Sequence, residues 1–387
     1  MKILFLDWGA FGKEPCIKAL EEMGHEIIRF IHDDYHERIS EDFDKAFDEC
    51  VKTNGVRACF SFNFYPVMAE GAHRNSIKYI SYVYDSPLVN VFSYKILYPE
   101  NYCFLFDYAL YERLRKGGIK TVYYMPLCAE VFDGCGTASS HFKEYKSDIS
   151  FVGSLYNEDH NFYERMEKKL DSYTKGYLEG IMESQLKVYG FPFIEDMLDE
   201  DIMKAMYEAL PYDPPFDGAQ SREYIYANYF LARKMTQTER IRTLSAVADR
   251  HELYLYTVDK NAGIKGAVNK GSVDYYDQMP YVFANSRINL NITLRSIYSG
   301  IPLRAFDIMG CGGFLMTNYQ EDFLRHFTPG EEFVYYESTD DLLSKIDYYL
   351  SHESERRDIA LAGHEAIRKQ HTFAIRMKEI FDVVFCE

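Results

Sequence analysis

The chain is 387 residues long, with 60 acidic and 43 basic side chains and a net charge of -17 at neutral pH. That charge repels nucleic acid and anionic membrane from most of the surface, so any phosphate site has to be a local exception. The length exceeds one ordinary core and points to two domains of roughly 100 to 200 residues each.

The predicted elements begin with KILFLDWGAFG, a strand and a glycine-bearing turn. KEPCIKALEEMGHEIIRF follows as an amphipathic helix ending at Gly24 and a second strand. The turn from Gly9 to Gly12 lacks the full GxGxxG dinucleotide fingerprint, so it is expected to line a cleft rather than grip a pyrophosphate. Met1–Trp8 reads as buried strand, and no run approaches the roughly 20 apolar residues of a membrane-spanning helix. Neither signal peptide nor anchor is expected, which places the protein in the cytoplasm. Eight cysteines without CxxC spacing agree with reduced thiols there.

Further strands are predicted at 56–64, 79–85, 102–107 and 121–127, with helical spacing between several of them. Such alternation implies a parallel sheet covered on both faces, with a ligand crevice at the carboxyl ends of its strands. Asn63, Tyr65, Asp85, Ser86 and Asp107 fall at such ends, and Asp7, Gly9, Asn63 and Tyr65 are cleft residues with no assigned role. Asp85 ends its strand directly before Ser86-Pro87, so it reads either as the base that activates an acceptor hydroxyl or as a cap organising the turn.

The small polar run at 134–140, GCGTASS, is the predicted linker, and SDISFVGSLY then opens a second domain with a fresh strand and a turn at Gly153-Ser154. From 157 to 250 the pattern is helical and charged, interrupted by a loop at 212–218 where Pro214 and Pro215 exclude helix. An α/β series resumes with strands at 252–257, 288–293, 312–317 and 332–336, followed by helices and a tail helix from Thr372. The expected organisation is therefore an amino-terminal Rossmann-like domain at 1–140 and a second one at 141–371 carrying the helical insertion at 157–250. A terminal helix at 372–387 crosses back to the first. The 34 tyrosines and 28 phenylalanines, beside one tryptophan, serve packing first and sugar stacking second.

The densest constellation is NITLRSIYSGIPLRAFDIMGCGGFL. Ser299 and Gly300 form a turn, Ile301 and Pro302 open a helix running to about Met309, and Gly310, Gly312 and Gly313 end it. A helix start at a glycine turn presents N–H groups to an anion, and Arg295 and Arg304 add cationic forks suited to a diphosphate. Asp307 is placed to accept hydrogen bonds from ribose hydroxyls. The plainer alternative is a helix docked on its sheet, with Asp307 exposed and Arg304 paired to a neighbouring acid. Gly153 and Ser154 would lie on the same sheet edge.

FVGSLY, PYVFANSRINLNITLR, SGIPLRAFDIMGCGGFLMTNYQEDF and HTFAIRMKEI resemble the second domain of CgeB-like bacterial glycosyltransferases, and SFNFYPVMAE with YISYVYDSP resembles the amino-terminal domain found with them. The resemblance spans nearly the whole chain and is most specific over 287–323. It implies a GT-B fold, with two Rossmann-like domains facing each other across a cleft, an acceptor side in the first and a nucleotide-sugar side in the second. It also implies that Asp307 matches the second carboxylate of the E-x7-E pair of retaining enzymes. Ser299 stands at the first position, which leaves retention or inversion open.

The expected activity is sugar transfer from a nucleotide-sugar, UDP-linked by expectation, to a glycan, lipid-linked or protein acceptor, in bacterial cell-surface glycan synthesis or protein glycosylation. No cofactor is expected. Asp199-Glu200-Asp201 has a DxD form but sits in an acidic helical region without a preceding strand, and the 11 histidines form no HxH or HExxH arrangement, so metal is not expected either. A UDP-sugar epimerase of the same fold and a non-catalytic nucleotide-sugar-binding scaffold are the alternatives.

Overall fold

Ala58–Phe62 is buried at every position, the pattern of a strand covered on both faces. It is β3 of a six-stranded sheet that also contains β1 (Lys2–Leu6), β2 (Glu26–Phe30), β4 (Lys78–Val83), β5 (Asn101–Leu105) and β6 (Val122–Tyr124). The computed structural model describes residues 1–132, 144–157, 161–259 and 262–386. It divides into two units, of which the first comprises Met1–Glu130, Pro214–Gln220 and Gln370–Glu387. All strand pairs of the first sheet are parallel, in the order β2-β1-β3-β4-β5-β6. The direction of winding reverses between β1 and β3, which opens a crevice at their carboxyl ends.

Helices α1 (Lys13–Glu22), α2 (Glu41–Asn54), α3 (Pro66–Asn75) and α4 (Tyr108–Lys116) belong to this unit. Ser40 caps α2 by accepting from the Phe43 N–H at 3.1 Å, and Asp107 caps α4 by accepting from Ala109 at 3.2 Å. Gly12 precedes α1 at a φ of 77°, and a Cβ there would lie 2.6 Å from the Phe373 ring, so both conformation and space require glycine. The loop read from its prolines contributes Asp217, which pairs with Arg38, accepts from Ser93 Oγ at 2.5 Å, and takes the Tyr94 N–H on its carbonyl at 2.9 Å.

The second unit, Val131–Asp213 and Ser221–Lys369, is built on β7 (Ser147–Val152), β8 (Leu253–Tyr256), β9 (Val268–Asn269), β10 (Ser286–Asn291), β11 (Leu315–Asn318) and β12 (Val334–Tyr336). These too are parallel, in the order β12-β11-β10-β7-β8-β9, with the reversal between β7 and β10. The two-residue β9 carries no periodic signal and was not anticipated from the sequence.

Between β7 and β8 run α5 (Phe162–Glu167), α6 (Ser172–Gln185), α7 (Glu200–Ala209), α8 (Arg222–Ile225) and α9 (Ala232–Ala248), with a π-helical turn at Tyr226–Leu231 joining the last two. This segment has its own apolar cluster around Met166, Leu178, Met206 and Phe230, distinct from the sheet core around Ile149, Leu255, Leu290 and Met316. Asp199 caps α7 by accepting from Ile202 at 2.9 Å. The remaining helices are α10 (Met279–Asn285), α11 (Leu303–Gly310), α12 (Phe323–His326), α13 (Thr339–Ser351) and α14 (Glu353–Gln370). The tail helix α15 (Phe373–Phe385) belongs to the first unit. The linker expected at 134–140 lies outside the described residues.

A Cβ at Gly313 would lie 2.8 Å from Asn289 Nδ2, 2.9 Å from the Phe283 carbonyl and 3.0 Å from the Ile308 carbonyl. Two of those neighbours are backbone and cannot yield cheaply. Gly313→Ala is expected to destabilise the protein by roughly 1–3 kcal/mol. Urea unfolding checks this, and an unchanged midpoint would show that the α11–β11 connection relaxes freely.

Candidate functional site

At the reversal point of the second sheet, β7 leads into Gly153-Ser154 and β10 into Ile292-Thr293. A single guanidinium spans the two ends. Arg240 of α9 donates through Nε to the Ile292 carbonyl at 3.1 Å and through its terminal nitrogens to the carbonyls of Ser154 and Ile292. Arg240 is buried and its recorded hydrogen-bond partners are all carbonyls, so desolvation weakens its charge, and Arg304 adds repulsion from nearby. Tyr156 and Glu239 oppose that shift through their charge.

The loop after β7 is shaped to this cation. A Cβ at Gly153 would crowd the Phe151 ring at 3.3 Å and stand 3.8 Å from the Arg240 guanidinium. Ser154 Oγ accepts from the Tyr156 N–H at 3.0 Å, which holds Tyr156 in the left-handed region at a φ of 57°. The Tyr156 ring then lies 4.8 Å from the guanidinium of Arg240 and 4.9 Å from that of Arg233. Arg233 and Arg240 are two helical turns apart on α9 and share one face.

The loop after β10 is tied to the end of β11, with Asn318 Oδ1 accepting from the Thr293 N–H at 2.8 Å and Asn291 donating to Thr317 Oγ1 at 2.9 Å. Ser299 is buried and its carbonyl accepts from Asp322 at 3.0 Å; Gly300 and Ile301 are buried beside it. Helix α11 starts at Leu303, later than expected, because Pro302 has an extended ψ of 152° and stands as the cap itself. No side chain caps this start, and Pro302, Leu303 and Arg304 are partly exposed.

Arg304 contacts the Met279 sulfur, lies 5.5 Å from the Phe283 ring centre, and stands 3.5 Å from Asp307 Oδ2. Asp307 is buried, not exposed as the plainer sequence alternative has it, and accepts from the Tyr275 hydroxyl at 2.8 Å. Burial pushes its carboxyl up to about 6, against the opposing pull of Arg304 and Tyr275.

Arg295 departs from the sequence expectation. It forms a buried ion pair with Glu239 at 2.7 Å, donates to the Val188 and Leu186 carbonyls at 3.1 and 3.2 Å, and stacks on Tyr189. Its fork is consumed by α9 and the chain after α6, so it anchors the helical segment. Glu239, remote in sequence, is the reason. Arg240 itself was hidden inside a charged helical run; its two-turn spacing from Arg233 is the signal that could have found it.

In the first unit, Trp8 Nε1 donates to the Phe62 carbonyl at 3.1 Å, bridging the ends of β1 and β3. Its ring stacks on Tyr35 at 6.1 Å, and Tyr65 stands edge-on at 6.3 Å. Asn63, buried at a φ of 62°, accepts from the N–H groups of Tyr84 and Asp85 and donates to Asp85 Oδ2 at 2.7 Å. Asp85 is exposed, its carboxylate aimed by Asn63, and Tyr65 is buried close enough to feel its charge. Asp7 is engaged by Lys13 at 2.7 Å, Arg29 at 3.2 Å and the Gly9 N–H at 3.3 Å. Burial pushes its carboxyl up, but these partners outweigh that and hold it below the usual range. Asp7 and Gly9 thus form a turn closed by an ion-pair cluster. Asp107 is a helix cap. Among the described residues no group of three or more histidine, cysteine, aspartate or glutamate side chains gathers as a metal site, and no helix is long and apolar enough to cross a membrane.

Residues 233–382 match the family model described as glycosyl transferase-like. No curated protein sequence matches the chain at a significant level. Among solved structures, a glycosyltransferase from Rickettsia africae is similar over 99% of this chain and 97% of its own, with 9% identity and a TM-score of 0.55. Sucrose-phosphate synthase from Thermosynechococcus elongatus is similar over 100% and 99%, with 12% identity and a TM-score of 0.55. Anabaena HepE in complex with UDP-glucose is similar over 100% of both chains, with 9% identity and a TM-score of 0.55. The fold is the GT-B type of these proteins, two parallel six-stranded sheets with their helices.

The folded Asp307 carboxyl binds its proton more tightly than the unfolded one, whose reference value is 3.8. Wild-type stability relative to Asp307→Asn is therefore expected to fall as pH rises from 4 to 6, by at most roughly 3 kcal/mol, and to level off above that window. Urea unfolding of both proteins across pH 4–8 measures this; a flat difference would mean the carboxyl ionises as it does in water.

Proposed function

We propose that this chain transfers a sugar from a nucleotide-sugar, with UDP as the expected nucleotide, to a saccharide, lipid or protein acceptor. The observation that carries the proposal is the buried Arg240 guanidinium at the β7–β10 reversal point, hydrogen-bonded to carbonyls, stacked by Tyr156 and standing near Arg304. When the bond between the anomeric carbon and the diphosphate breaks, negative charge grows on the departing phosphate oxygens. Fixed cations and N–H dipoles in a desolvated edge stabilise that charge without reorganising. Asp307, a carboxyl with a proton affinity near neutrality, faces the ribose and is positioned by Tyr275. The acceptor hydroxyl forms the new bond to the anomeric carbon, and its proton passes to Asp85, whose carboxylate Asn63 orients. Metal is not required where arginines and a helix start neutralise the diphosphate.

Within this reading the 287–323 and FVGSLY resemblances support a place among CgeB-like bacterial transferases acting on cell-surface glycans or proteins in the cytoplasm. Incubation with UDP-, GDP- and dTDP-sugars, with and without cell-envelope acceptors, tests it. One donor is expected to release nucleotide slowly alone and faster with acceptor. An altered but intact sugar-nucleotide would instead establish an epimerase, and thermal stabilisation without turnover a binding protein.

Arg304→Ala is expected to weaken donor affinity by about tenfold with the fold intact, the worth of a hydrogen bond to a charged group. Arg240→Gln is expected to lower kcat by roughly a hundredfold or more. Arg295→Ala is expected to lower stability by about 3–5 kcal/mol, because it strands the buried Glu239. Isothermal titration, steady-state kinetics and urea unfolding separate the three, and unchanged donor affinity in Arg304→Ala would remove that residue from the site.

A further inference from the structure

The second unit holds another cavity, of about 990 Å³, at the amino ends of its strands, where Asp148, Ser286 and Phe314 reach its wall. The six residues of β10 put it roughly 17 Å from the reversal-point edge, so it takes no part in sugar transfer. Its volume lies at the top of the range for metabolite sites, about 300–1,000 Å³.

Its charge is opposite to that of the protein. Lys146, Arg287, Arg356, Arg357 and Arg368 line it against Asp148, Glu353 and Glu365, in a chain of net charge -17. One carboxylate, Glu353, serves three guanidinium groups, at 2.5 Å from Arg357 and 3.5 Å from both Arg287 and Arg356. Arg356 is 7% exposed, and the Nε atoms of Arg356 and Arg287 have no hydrogen-bond partner among the described residues. Burial disfavours the charged form of Arg356; Glu353 favours it, while Arg287 and Arg357 add like charge. Part of each fork has a structural use, since Arg356 donates to the Arg287 carbonyl at 2.7 Å and Arg287 to the Leu350 carbonyl. Arg287 also meets Asp148 at 3.1 Å and Arg368 meets Glu365 at 3.4 Å. With these pairs made, five cations still face three carboxylates along the wall.

We propose that this cavity binds a free, phosphate-bearing ligand of metabolite size. A multivalent phosphate brings more charge and more acceptor oxygens than one carboxylate, and so can engage several guanidinium forks through separate oxygens. The concave wall suits a small molecule enclosed on several sides.

Inorganic pyrophosphate is the probe, titrated calorimetrically into the full-length protein with excess UDP present. Arg357, whose side chain is 71% exposed, and the exposed Lys146 can be changed without disturbing the core. The wild type is expected to bind pyrophosphate under these conditions. The Lys146→Ala/Arg357→Ala double variant is expected to bind it at least tenfold more weakly, with circular dichroism unchanged. Equal affinity in the two proteins, or no pyrophosphate binding by the wild type, would overturn the proposal and leave the arginines as a network that only fastens α14 to β10. Because the readout compares two proteins that share every donor-side residue, it is independent of whether UDP-sugars prove to be substrates.

Discussion

The second unit is organised around one buried guanidinium. A desolvated arginine without a hydrogen-bonded carboxylate costs several kcal/mol unless dipoles surround it, and Arg240 meets that requirement with the carbonyls of Ser154 and Ile292. The constraint propagates outward. The loop after β7 places a left-handed residue at 156, whose ring stacks on the guanidinium, and α9 has to lie where its side chain reaches the gap between β7 and β10. The neighbouring Glu239–Arg295 pair then fixes the roll of α9 about its axis.

The first unit solves the same topological problem with different chemistry. Its sheet also reverses direction, between β1 and β3, and there Trp8 makes the bridge by donating to the Phe62 carbonyl. An indole brings a broad, uncharged face where the second unit brings a cation. Asn63 continues the bridge from β3 to the end of β4 through Asp85. One sheet edge thus carries a buried cation, and the other an aromatic face with a carboxylate beside it.

Most strands were legible because fully buried parallel strands read as near-continuous apolar runs, the pattern of Ala58–Phe62 in the primary sequence; β10, SRINLN, alternates polar and apolar residues instead. The helix after Ser299 was legible from its proline and glycines, misjudged only in its first turn because Pro302 serves as the cap. What the sequence could not show is which cation finds a carboxylate. Arg295 and Arg240 look alike in the chain; a glutamate reaches one and carbonyls receive the other. Asp107 and Asp85 look alike as strand ends, yet one caps α4 and the other is aimed outward by Asn63. Such outcomes depend on long-range register, which local periodicity does not encode.

The first unit is completed by a helix made long after its sheet. Helix α15 covers α1, with the Cys16 sulfur 3.4 Å from that of Met377 and Phe373 against Gly12, and Pro214–Gln220 returns to the same unit from the middle of the chain. On the ribosome, the greasy side of α1 around Cys16 and Leu20 therefore waits uncovered until α15 has been made. Nascent chains of this protein have to be shielded over the whole stretch from α1 to α15, and a chain cut short before α15 leaves the first unit with a permanently sticky flank.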